Sequence, residues 1–280
     1  MFDRFSRTWE LTKQSFKVLA GDKQMMVFPV LSTVAAIVVS VSFLIPVISA
    51  GMFAHRGQPT TNAEYGILFL FYFANYFVIV FFNSALVYCA SVGLSGGHAT
   101  VKDGLSAAWG SLGRIFMWAL VAATVGLMLR ILEERLGKLG RIIVWLLGMA
   151  WTLMTYFIVP VLVFEDNLSM VDSVKRSGSV LRETWGEEVV SGFSFGLIWL
   201  LAMVPGFALL VGGMMVHPLA GIALGVLYFL LLWVVAATVK TIFTVALYRY
   251  ATQGQVPAGF TPALIEGAFT PKGKRPAAGA

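Results

Sequence analysis

Six apolar runs, at about 26–48, 66–92, 115–131, 142–164, 190–212 and 219–247, dominate this chain of 280 residues. Most exceed the roughly 20 residues that an α-helix needs to cross a hydrocarbon core. The run at 115–131 is the weakest, with Arg114 and Arg130 as its flanking charges. Inside a bilayer every backbone N–H and C=O must be bonded within the structure, so a spanning segment is a helix or a strand of a closed barrel. Nothing here alternates as barrel strands do, which leaves helices. Charged residues make up only 12% of the chain, against about 25% in soluble domains, and the mean hydropathy is +0.83. The expected fold is all-α: a polytopic integral membrane protein with about six transmembrane helices. Residues 1–252 would form the helical domain, and the Pro/Gly-rich stretch 253–280 a mostly disordered tail. The first twenty-odd residues are polar and mixed in charge, unlike a cleavable signal.

The basic residues predict an orientation. Alternating the six spans puts fifteen of the twenty Lys and Arg residues on the side of the two termini and five on the other. An excess of Lys and Arg marks the cytoplasmic side, so both termini are expected there. The segment RILEERLGKLGR dissents, with Arg130, Arg135, Lys138 and Arg141 on the outer side. Its Arg130/Glu134 and Glu134/Lys138 spacings are those of ion pairs on a helix. Lys240, the one charge inside the apolar run 219–247, follows 19 uncharged residues from Gly221. Those cover about 28 Å of helix, nearly the whole core of roughly 30 Å. Lys240 is therefore expected to mark the membrane boundary and to extend its amine to the head groups.

A repeat organises the polar connectors. Asp3, Asp103 and Asp172 each open a stretch with an apolar residue two positions on (Phe5, Leu105, Val174), a small one five on (Thr8, Ala108, Ser177) and an aromatic one thirteen on (Phe16, Phe116, Trp185). The apolar residues of the first and third stretches share one helical face, the pattern of helices lying in a membrane interface. The spacing predicts three hairpins, each preceded by a cytoplasmic interfacial amphipathic helix, with repeats starting near 3, 103 and 172.

The stretches SRTWELTKQSFKVLAGDKQMMVFPVLS, IVPVLVFED, SVKRSGSVLRETWGE and IEGAFTPK resemble signature segments of a domain-of-unknown-function family of bacterial and archaeal polytopic membrane proteins. The resemblance runs over most of the chain. It implies a multi-pass protein of the prokaryotic plasma membrane and brings no functional residues with it.

Motifs that carry chemistry are scarce. Gly93-Leu94-Ser95-Gly96 followed by His98 resembles the GxSG of rhomboid-type proteases, but a serine nucleophile needs a base within hydrogen-bond reach. His217 is expected on the opposite side of the membrane, and LSGGHAT reads as a turn. The three histidines, His55, His98 and His217, are scattered, and Cys89 is the single cysteine. No metal-ligand spacing and no cofactor motif appears. No Asp or Glu lies within an apolar run, whereas proton-coupled pumps use intramembrane ionisable groups. An enzyme is therefore not expected. The intramembrane polar groups are neutral, and Asn75, Tyr76, Asn83, Thr152, Thr155, Tyr156, Thr238 and Thr241 are the candidate lining of a cavity. Gly192/Gly196 and Gly221/Gly225 are candidate close-packing points. Pro46, Pro160 and Pro205 are expected to kink or break helices. The residues favour a passive pore or a lipid-handling protein, with a non-catalytic scaffold or assembly subunit as the alternative. Expected partners are membrane lipids and further membrane subunits, either copies of this chain or others, and no nucleic acid.

Overall fold

The computed structural model describes residues 2–49, 61–185, 193–254 and 256, with side chains described except at 2–9, 11, 137–139, 183–185 and 193–198. Among the described residues there are no strands. Six helical segments are long and apolar enough to cross a membrane: Lys23–Ser49, Asn62–Leu94, Leu112–Leu136, Gly140–Phe164, Trp199–Val216 and Pro218–Gln253. The fold is all-α and of the multi-pass membrane type.

The helices are α1 (Phe2–Gly21), α2 (Val27–Ser42), α3 (Leu44–Ser49), α4 (Asn62–Leu94), α5 (Val101–Gly110), α6 (Leu112–Met154), α7 (Ile158–Phe164), α8 (Met170–Trp185), α9 (Phe193–Val216) and α10 (Pro218–Gln253), with a 3-10 turn at Lys23–Met26. They form two compact units. One contains α1, the 3-10 turn, the last residues of α4, α9 and α10; the other contains α2, α3, most of α4, and α5, α6 and α7 with the first part of α8.

Local sequence accounts for where many helices begin and end. A helix leaves its first N–H groups unpaired, and a Ser or Thr followed three residues on by an acid satisfies them reciprocally. Two helices start this way, and a third does so in part. Thr61 N donates to Glu64 Oε2 at 2.6 Å and Glu64 N to Thr61 Oγ1 at 3.3 Å, opening α4. Thr100 and Asp103 do the same for α5. At α8, Asp172 N donates to Ser169 Oγ, which donates to the Asp172 carboxylate. Asp103 and Asp172, two of the three aspartates that open the repeat, are thus capping residues; the side chain of Asp3 lies outside the described residues. The hydrogen bonds from Thr100 and Ser169 hold both carboxyls below the usual Asp range. Both caps contribute fully above that range and are lost as the pH falls through the lowered values.

Two prolines break helices as expected. Proline lacks an N–H, and its ring crowds the carbonyl four residues back. Pro160 separates α6 from α7 and frees the N–H of Phe157, which is buried. A buried unpaired amide costs about 1–3 kcal/mol. Here it donates to Ser177 Oγ of α8 at 3.0 Å, itself fully buried. Pro46 likewise follows the interruption between α2 and α3. Pro205 lies within α9 without ending it.

In the second unit α2 and α4 run antiparallel. Ser40 Oγ donates to Asn75 Oδ1 at 3.4 Å, and the rings of Phe43 and Phe71 meet edge to face at 5.7 Å. Phe73, Phe77 and Phe81, spaced i,i+4 on α4, meet Phe116 and Trp109 edge to face. Such aromatic pairs add about 0.5–1.5 kcal/mol each. Helix α6 doubles back on itself. Trp118 and Trp151 stack with centroids 5.7 Å apart and planes at 10°, whereas a straight helix would separate them by about 50 Å. The expected Arg130–Glu134 pair forms at 3.0 Å before this reversal. At the other end of the arms Arg114 pairs with Asp166, and Arg176 with Glu165 at 3.0 Å.

Candidate functional site

The first unit is built on the antiparallel pair α9/α10. His217 caps α10, its Nδ1 accepting from Ala220 N at 3.4 Å, and Pro218 occupies the first helical position, where its missing N–H is no loss. Gly254, at φ +65°, ends the helix in the left-handed conformation that glycine adopts without steric cost. Near the His217 turn the two backbones touch. A Cβ on Gly213 would lie 2.7 Å from Gly221 Cα, and one on Gly221 would collide with the backbone of Gly213 and Met214. One turn along, Gly225 receives the side chain of Leu210. Farther from the turn, Gly206 receives the ring of Tyr228, whose hydroxyl donates to Ala202 O at 2.7 Å. Of the expected packing glycines, Gly192 lies outside the described residues, and Gly196 falls where side-chain surroundings are not described.

Beyond Tyr228 a groove of about 660 Å³ opens among α9, α10 and α1. That is within the range of small-molecule sites. Trp199, Leu201 and Ala202 line it from α9; Tyr228, Leu231, Leu232 and Val235 from α10; Thr12, Lys13 and Phe16 from α1. Phe16 and Trp199 stack at 6.3 Å. Lys13 is the one charged residue among the ten, with Glu10 Oε1 3.9 Å from its amine. At Tyr228 and from there toward the His217 turn, the hydroxyl tether and the glycine contacts hold α9 against α10.

Lys240 is exposed on α10, 22 residues past Pro218, or about 33 Å along the axis. Side chains change character near it. Leu219, Leu227 and Leu231 on the Pro218 side are 54–74% exposed, whereas Ile242, Phe243 and Val245–Tyr248 are buried.

None of the eight residues expected to line a cavity lines this groove. Six lie in the second unit. Asn75 donates to Phe71 O at 2.9 Å besides accepting from Ser40, and Thr152 and Thr155 bond to Gly148 O and Trp151 O of their own helix. Tyr156 meets Phe157 edge to face, Tyr76 lies beside Gly126, and Asn83 is half-buried. In the first unit Thr238 donates to Val234 O, and Thr241 is half-buried. The groove residues carry no sequence signal of their own, because Trp, Tyr and Leu are equally ordinary on a lipid-facing surface.

The Gly-Leu-Ser-Gly stretch is a helix end. Gly96, at φ +80°, donates to Gly93 O, and Gly97 N donates to Val92 O at 3.1 Å, closing α4 with a left-handed glycine cap. Arg249 of α10 completes it, its Nη1 donating to Ser91 O at 2.8 Å and to Ser95 Oγ at 2.6 Å. Ser95 Oγ donates in turn to Ser91 O at 3.1 Å. Among the described residues no histidine bonds to Ser95.

Residues 62–260 match a family described as of unknown function, DUF6159. The chain belongs to that family. The matched stretch covers α4 to α10, and with it the α9 and α10 walls of the groove, the glycine contacts and the Arg249 cap. No curated protein and no solved structure matches the chain.

Proposed function

We propose that this protein handles lipid, holding an acyl chain in the groove between α1, α9 and α10, and has no catalytic site. The close contact of α9 and α10 at Tyr228 and toward the His217 turn carries the reading. Taking Lys240 as the membrane boundary, Val235 lies about 7 Å and Tyr228 about 18 Å into the bilayer. Half a hydrocarbon core is about 15 Å. The groove thus spans one leaflet and stops near the midplane, which suits a lipid chain and not a continuous aqueous path. In this reading the protein resides in a prokaryotic plasma membrane with both termini cytoplasmic. Its three helix pairs are hairpins led by interfacial helices on that side, and the asparagines and threonines serve helix packing.

Two measurements test this. Ala202→Trp would fill the groove, so lipid retained through mild-detergent purification and read by native mass spectrometry should fall several-fold. Leu224→Trp, on an exposed face of α10, should retain it. Equal retention in both variants would sink the lipid reading. For orientation, a cysteine at Lys175, whose side chain is 71% exposed, on a Cys89→Ser background should resist membrane-impermeant thiol reagents in intact cells. Labelling from outside would reverse the topology. Ser173, two residues away, is unsuited to this because it is buried.

A further inference from the structure

We infer that the ligand of the groove is an anionic phospholipid of the leaflet facing the termini, with its phosphate drawn to Lys13. This rests on the lipid reading above and adds the head-group class. The walls are apolar, and their two aromatic polar tips lie within them; the Tyr228 hydroxyl is already committed to Ala202 O. What distinguishes one lipid from another must therefore act at the one charged residue of the lining, Lys13. Its side chain is 57% exposed, as suits an interfacial lysine that meets phosphates. Lys17, also exposed, stands one turn along α1 on the same face. Glu10 is the nearby opposing charge, and at 3.9 Å on a solvated surface it holds Lys13 only weakly. A head group with net negative charge gains from both lysines. A zwitterionic one presents its cation to them and gains little.

The groove residues also supply a reporter. Trp199 lines the groove and stacks on Phe16, so a brominated acyl chain in the groove would quench its fluorescence. The full-length protein is placed in nanodiscs of phosphatidylcholine containing increasing fractions of either phosphatidylglycerol or phosphatidylcholine brominated on the chains. Subtracting the signal of Trp199→Phe isolates the Trp199 component. The expected result is half-maximal quenching at a phosphatidylglycerol fraction about fivefold lower than for phosphatidylcholine, equivalent to about 1 kcal/mol.

Lys13→Gln should narrow the gap, and Lys13→Gln with Lys17→Gln should bring the two curves together, while quenching by both lipids remains; Lys13→Arg should keep them apart. Glu10→Gln should widen the gap, and raised salt should narrow it, because the interaction is screened. Coincident curves in the unaltered protein, or a gap that Lys13→Gln leaves unchanged, would overturn the head-group inference and leave the acyl-chain reading standing. A Trp199 component quenched no more than tryptophans at large, by either lipid, would overturn both.

Discussion

Alanine at two glycines of α9/α10, Gly212 and Gly221, is expected to shift stability in opposite directions. A Cβ on Gly212 meets nothing within 4 Å, so the substitution only stiffens a helix interior and should stabilise by up to about 1 kcal/mol. A Cβ on Gly221 collides with the backbone of Gly213 and Met214. Backbone cannot rotate away as a side chain can, so the helices must separate. Overpacking of this kind costs about 1–3 kcal/mol. The loss is felt fully in a membrane, where helix association rests on close packing and not on exclusion of water. Thermal unfolding in mild detergent should place Gly221→Ala below the unaltered protein and Gly212→Ala level with it or above. Gly213→Ala should resemble Gly221→Ala, since its Cβ would sit 2.7 Å from Gly221 Cα. Indistinguishable unfolding temperatures for Gly212→Ala and Gly221→Ala would show that the two helices do not touch there.

Replacing Arg249 by methionine should loosen the end of α4. The guanidinium bonds Ser91 O and Ser95 Oγ, two acceptors in the last turn and cap of that helix. The partial negative charge of a helix C-terminus favours a cation there. Hydrogen bonds involving a charged group contribute about 1.5–3 kcal/mol, and partial exposure puts the expected loss near the lower figure. Ser95→Ala should cost less, because Arg249 keeps the Ser91 carbonyl. The double variant should lose less than the sum of the two singles, as partners in one network do. Hydrogen exchange at residues 91–97, followed together with global unfolding, separates the local effect from a general one. Unchanged exchange in Arg249→Met would remove Arg249 from the cap.

The sequence by itself determined six helical spans, because hydropathy over about 20 residues is a local property and lipid allows few alternatives. It also determined helix ends whose causes lie within a few residues: the Pro160 break and the turn in LSGGHAT. The caps at Asp103 and Asp172 are equally local, though these aspartates stood out only as the start of a repeat. Much of the repeat register is that same cap chemistry. Only the tertiary structure decided which faces meet. In lipid a leucine facing a neighbouring helix and one facing acyl chains are nearly equal in free energy. Periodicity therefore could not tell Leu231 in the groove from Leu227 outside it, nor show that Ser177 would receive the N–H freed at Phe157. The expected cavity residues were chosen for polarity, yet most of those with a described hydroxyl or amide bond use it on their own helix. The groove came instead from the spacing of α9 and α10, which Gly206, Gly213, Gly221, Gly225 and the Tyr228 hydroxyl hold together toward the His217 turn, leaving the groove around Trp199 beyond it.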